Sequence, residues 1–106
     1  MSDVTDRVLV ALTAHDLDAF VACYAEDATI EDGYDRVAAR GHDELRARFG
    51  SQFADYPELR VELISRTIVG EFVVQEEVVT GRGAHRRHVA VYLIEDGLIR
   101  RERLFR

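Results

Sequence analysis

The sequence predicts an α+β fold: a cone-shaped, strongly curved mixed or antiparallel sheet wrapped on three N-terminal helices. Three observations carry this. Apolar residues in the first half recur at helical spacing, whereas from residue 59 onward they alternate with period two. Glycine-centred turns then divide the second half into four consecutive strands. Helices segregated from sequential hairpins are the α+β arrangement. The 106 residues, 1–106, suit a single domain.

Val4, Val8, Ala11 and Leu12 form the apolar stripe of a first helix over residues 3–13, ended by Thr13-Ala14-His15. Asp16 is the predicted N-cap of a second helix, since its carboxylate can accept from an otherwise unpaired backbone N–H. Leu17, Phe20, Val21 and Tyr24 line that helix at i, i+3, i+4 and i+7. A short strand follows over residues 27–32. Residues 33–40 have no period and read as a loop. Gly41 opens a third helix, with Asp43 and Glu44 in the first turn, where the helix dipole favours negative charge. Leu45, Phe49, Gln52 and Phe53 share one face of it, and Pro57 closes it. Strands are expected over 59–69, 72–80, 88–94 and 98–105. Gly70-Glu71, Gly81-Arg82-Gly83 and Asp96-Gly97 turn between them; the last pair is the strongest hairpin signal present.

Two of these strands look apolar on both faces. Phe72, Val74 and Val78 alternate with Val73 and Val79, and Val89, Val91 and Leu93 alternate with Ala90, Tyr92 and Ile94. Such a sheet needs cover on both sides. Helices supply one cover; a second copy of the chain is the simplest other, so a homodimer through the outer sheet face is expected.

Charge narrows the partners. Residues 1–56 carry 12 acids against 5 bases, and residues 57–106 carry 8 against 9. No basic surplus marks a nucleic-acid face. No apolar run is long enough to span a membrane. An acidic N-terminus without a signal-like apolar core, together with a lone cysteine, Cys23, points to a cytoplasmic location.

Within the first strand, alternation puts Ala28, Ile30 and Asp32 on one face. An acid aimed the way apolar residues point is costly unless paired, hydrogen-bonded or used. Glu76 and Glu77 are strand neighbours, so one faces each way, and alternation leaves open which. His85 and His88, three apart on a strand, point to opposite faces and make a poor ligand pair; no metal or cofactor is expected.

The run from Leu12 to Phe20, the segment Tyr24-Ala25-Glu26-Asp27-Ala28-Thr29-Ile30-Glu31-Asp32 and the helix opened by Gly41 resemble the nuclear transport factor 2-like superfamily, in its SnoaL-like and ketosteroid isomerase-like branch. The resemblance covers nearly the whole chain. It implies a cystatin-like roll, a deep apolar pocket and frequent dimers. It fixes no activity, because the fold hosts isomerases, cyclases, hydrolases, dehydratases and non-catalytic members. Ketosteroid isomerases carry an Asp general base after a Glu at the end of the first strand, and Asp32 after Glu31 matches it. Their oxyanion hole uses a Tyr and a protonated Asp. Those positions fall on Val8 and near Ala90, neither of which can donate a side-chain hydrogen bond. Tyr24 resembles an auxiliary tyrosine of some members.

The expected function is therefore a pocket for a small apolar molecule, with a proton moved next to a carbonyl and Asp32 as base. Tyr24, His88 and Tyr92 are the candidate donors; Phe49, Phe53 and Phe105 are the candidate aromatic lining. The alternative is a non-catalytic ligand-binding or dimerisation module, favoured if those three phenylalanines fill the space.

Overall fold

The computed structural model describes residues 3–33 and 36–106. Three helices, α1 (Val4–Ala14), α2 (Leu17–Ala22) and α3 (Gly41–Asp55), pack on a six-stranded sheet. The strands are β1 (Tyr24–Asp32), β2 (Arg36–Arg40), β3 (Arg60–Val69), β4 (Phe72–Thr80), β5 (Arg86–Glu95) and β6 (Leu98–Phe105). They lie in the order β2-β1-β6-β5-β4-β3. The last four form the expected antiparallel meander, and β1 joins it parallel to β6. The sheet is thus mixed, as an α+β roll requires.

The helix boundaries follow local chemistry. His15 ends α1 in the left-handed conformation, and the Asp16 carboxylate accepts from Ala19 N–H at 3.0 Å to cap α2. Two boundaries differ from expectation. Tyr24, placed by spacing on the second helix, is the first residue of β1. Its carbonyl accepts from His42 at 2.8 Å, which ties it to the start of α3. Residues 36–40, expected as loop, form the edge strand β2. Arg36, Val37 and two alanines have little strand preference of their own; pairing with β1 makes the strand. Tyr34 and Asp35, from the same expected loop, lie outside the described residues.

Irregularities bend the sheet. The register shifts between Ile30 and Glu31, between Leu63 and Ser65, and between Leu93 and Ile94. Each such shift kinks a strand and raises its local twist. The concave face closes on the helices around a core that includes Val8, Leu12, Phe20, Val21, Ile30, Leu45 and Ile99. The convex face stays open, with Phe72 and Val89 exposed. Among the described residues, no helix is long and apolar enough to cross a membrane.

Candidate functional site

Between the concave face and the helices lies a cavity of about 70 Å³. One water-sized probe needs only ~10–15 Å³ by the same measure, so the space admits a small molecular fragment. Its apolar wall includes Leu12 and Phe20 from the first two helices, Phe49 from α3, and Ile30, Val79 and Leu104 from the sheet. Its polar wall comes from three adjacent strands. Period-two alternation directs Glu77 inward from β4, His88 and Tyr92 from β5, and Glu102 from β6. The pairing register then sets Glu77 opposite His88 and Tyr92 opposite Glu102.

Glu77 is a fully engaged carboxylate. One oxygen accepts from His88 Nε2 at 2.8 Å; the other accepts from the Tyr92 hydroxyl and from Gln75 Nε2, both at 2.7 Å. Gln75, itself fully buried, accepts from Arg66 Nε at 2.6 Å, and Arg66 pairs with Asp6 at 2.7 Å. This chain fixes Glu77 from behind and runs from the surface to the cavity.

Glu102 behaves differently. Among the described residues, its carboxylate accepts only from Tyr24. Burial, reinforced by the charge of nearby Glu77, pushes its pKa up to about 8, against the Tyr24 hydrogen bond, which favours ionisation. At neutral pH it is therefore mostly a neutral carboxylic acid. Burial also holds the Tyr24 and Tyr92 hydroxyls well above the usual tyrosine range, and the charges of Glu102 and Glu77 add to that. Both tyrosines stay hydrogen-bond donors at any ordinary pH.

Asp32 points to the same side as Ile30, as alternation requires, but it stands at the rim. Its side chain is 36% exposed and pairs with Arg106. The cavity is lined by Arg106, not by Asp32. Alternation says which face a residue occupies; it says nothing of how far along the strand the helices extend their cover.

Tyr24, His88, Tyr92 and Phe49 all line the cavity. Phe53 packs beside it, against Phe20 and stacked on the His15 ring at 4.7 Å between centroids. Phe105 is corrected: it lies on the convex face, in a shallow groove with Phe72, Val91 and Leu93. It pairs with Val89, which also points outward, so the pleat turns both away from the helices. The aromatic trio therefore does not fill the cavity. Val8 and Ala90 are both buried without exposure, so the two positions from which ketosteroid isomerases donate hydrogen bonds face the interior as apolar residues.

Of the adjacent glutamates, Glu77 faces in, while Glu76 faces out to Arg87. Glu102 was not singled out by the sequence. It sits in Arg100-Arg101-Glu102-Arg103, which reads as a solvated charged run. The one usable signal was its place two residues before Leu104, on an inward face. Among the described residues, no three His, Cys, Asp or Glu side chains gather as a metal site.

Residues 5–102 match the family of the SnoaL-like domain. The chain belongs to that family. Solved structures agree with the SnoaL-like assignment. An uncharacterized cystatin-fold protein from Novosphingobium aromaticivorans superposes with a TM-score of 0.90 at 25% identity, covering 97% of this chain and 95% of its own. A putative polyketide cyclase from Sinorhizobium meliloti gives 0.85 at 23% identity, with 98% and 94% covered. A protein of ketosteroid isomerase-like fold from Catenulispora acidiphila, in complex with trimethylamine, gives 0.82 at 14% identity, with 100% and 86% covered. No curated protein matches the sequence. The SnoaL-like chain therefore shares its architecture with these proteins.

Proposed function

We propose that this SnoaL-like protein moves a proton next to a carbonyl of a small, largely apolar molecule held in the concave cavity. One observation carries the reading: two carboxyl groups line one apolar cavity with different partners, one bound by three donors and the other bonded to a tyrosine. Glu77 is held by three donors, while Glu102 keeps its proton to about pH 8. Such a pair divides base work from acid work.

In this reading His88 is the base. Its Nε2–H donates to Glu77, which orients the ring and stabilises the imidazolium once it forms. Nδ1 then takes the proton from the carbon next to the carbonyl. The electron pair moves onto the carbonyl oxygen, and the Glu102 carboxylic acid, held by Tyr24, donates a hydrogen bond to the growing charge. Where the substrate carries a carbon–carbon double bond conjugated with that enolate, return of the proton from His88 to the far end of the conjugated system shifts the double bond and completes an isomerisation; return to the same carbon gives exchange. Asp32, the base expected from the family pattern, is the competing candidate. Its rim position and its pairing with Arg106 favour the interior pair. The Sinorhizobium relative, as a putative polyketide cyclase, is consistent with chemistry beside a carbonyl.

Exchange of ketone α-protons in deuterium oxide tests this without a known substrate. With butyrophenone as probe, the protein should accelerate exchange; His88→Asn and Glu102→Gln should lose about a hundredfold or more of that acceleration, while Asp32→Asn keeps it. Loss in Asp32→Asn alone would return the base to the rim. No acceleration in the native protein would sink the catalytic reading.

The closed chain from Asp6 through Arg66, Gln75 and Glu77 favours a second reading, a ligand-holding module whose polar groups only orient an unreacted guest. Binding of butyrophenone without proton exchange would select it. In either case we propose that the exposed convex face pairs with a second copy, which a monomeric mass at micromolar concentration would exclude.

A further inference from the structure

The cavity opens through arginines. Arg48 on α3, Arg82 in the β4–β5 turn, Arg86 on β5 and Arg106 after β6 all line it. Arg48, Gln52, Arg82 and Arg86 also line an open groove on the outer side, with Tyr56 and Ser51. These four side chains therefore stand between the interior and solvent.

Their charge is poorly balanced. Arg106 is engaged by Asp32. Arg82 donates to Gln52 at 2.6 Å and lies 6.0 Å from the centre of the Tyr56 ring, neither of which cancels its charge. The side chains of Arg48 and Arg86 have no hydrogen bond or ion pair among the described residues. Elsewhere, Arg46, Arg87, Arg100 and Arg103 pair with Asp18, Glu76, Asp27 and Glu31. Exposed arginines also occur elsewhere, as at Arg60, so convergence at one opening is the informative feature. The only carboxyl groups lining the cavity, among the described residues, are the deep Glu77 and Glu102, and Glu102 is neutral at ordinary pH. In the outer groove the one acid among the described residues is Glu44, which accepts from Arg40 N–H and keeps its charge, set against three arginines. A chain of net charge −6 thus presents a positive gate to its own cavity. Low-dielectric walls focus such a field on an incoming ligand.

Size adds a constraint. At about 70 Å³ the cavity admits only a fragment, so the rest of a ligand must pass the gate or lie at it. A planar guanidinium pair at the opening matches a carboxylate bidentately.

We propose that the ligand is a small organic carboxylate: its apolar, carbonyl-bearing end enters the cavity while its carboxylate is held by Arg48 and Arg86, with Arg82 beside them. This rests on the pocket reading above and adds a substrate class to it.

Benzoylpropionate, its primary amide and neutral butyrophenone test it, with binding followed by calorimetry and by the NMR signals of the His88 ring. The acid should bind about tenfold more tightly than the amide at low salt. That preference should shrink as salt rises, because the gate is partly exposed. It should vanish in Arg48→Gln/Arg86→Gln, whose thermal unfolding should match that of the native protein, since both side chains are exposed. Equal binding of acid and amide, or a preference that survives the double substitution, overturns the carboxylate assignment. If butyrophenone still shifts the His88 signals in that case, the pocket reading stands without it. Binding of none of the three at millimolar concentration overturns both.

Discussion

Glu76 and Glu77 are adjacent on one strand and chemically identical, yet they belong to different worlds. Glu76 points through the convex face and pairs with Arg87, whose side chain is 65% exposed. Glu77 points through the concave face, 2% exposed, and satisfies His88, Tyr92 and Gln75. The convex pair is screened by water and is worth little. The concave carboxylate anchors donors that have no water to turn to. Glu31 and Glu102 repeat the contrast on neighbouring strands. Burial raises the Glu31 carboxyl, but Arg103, Thr29 and the charge of Arg101 together hold it below the usual range. Burial holds Glu102 far above it. The same side chain is a surface ion on one face of the sheet and a neutral acid on the other.

The largest break in that contrast should come from Glu77→Ala. It strands three buried donors and should cost about 3–5 kcal/mol in chemical denaturation. Glu77→Gln, which keeps an acceptor, should recover part of that loss. A loss no greater than that of Glu76→Ala would remove the special role of the concave face.

Glu102 gives a pH signature. Its proton affinity is higher folded, with a pKa of about 8, than at the ordinary value of 4.5. Below pH 4.5 both folded and unfolded chains carry the proton, and Glu102 contributes nothing. Between 4.5 and 8 the unfolded chain releases it while the fold retains it, so stability falls as pH rises; above 8 the penalty is constant. Each tenfold difference in affinity is worth about 1.4 kcal/mol. Glu102→Gln should flatten this part of the stability curve and melt higher than the native protein at pH 8, while matching it near pH 4. An unchanged profile would mean the carboxyl is not desolvated.

A smaller effect is expected at Tyr24→Phe, which removes the one hydroxyl bonded to Glu102. It should cost about 1 kcal/mol and, by withdrawing a donor that favours ionisation, raise the Glu102 pKa further. Carbon-detected titration of the Glu102 carboxyl checks the direction. Smallest is Glu76→Ala, at roughly 0.5 kcal/mol or less, fading with added salt.

Gly81 shows how the gate is placed. Its φ is +81°, and a Cβ there would lie 1.9 Å from the Glu58 carbonyl oxygen. Only glycine lets the turn press against that backbone and set the next residue, Arg82, at the opening.

Much of the fold was legible. Helical stripes, the Asp16 cap, the Asp96-Gly97 turn and the alternation of the last four strands are local signals, decided by residues close in sequence. β2 was not legible, because Val37, Ala38 and Ala39 become a strand only by pairing with β1. At the site, alternation placed His88 and Tyr92 on one face and required one of Glu76 and Glu77 to face in. It drew attention to Asp32, at the end of an apolar strand, and not to Glu102, which lies among arginines.

The sequence by itself determined the class of fold, the order of its elements apart from β2, and which strand residues share a face, since these depend on periodicity and turn chemistry. Tertiary structure alone decided which carboxyls lose their water. That depends on where the helices stop covering the sheet: over Glu77 and Glu102, short of Asp32, and leaving Arg48, Arg82 and Arg86 around the opening.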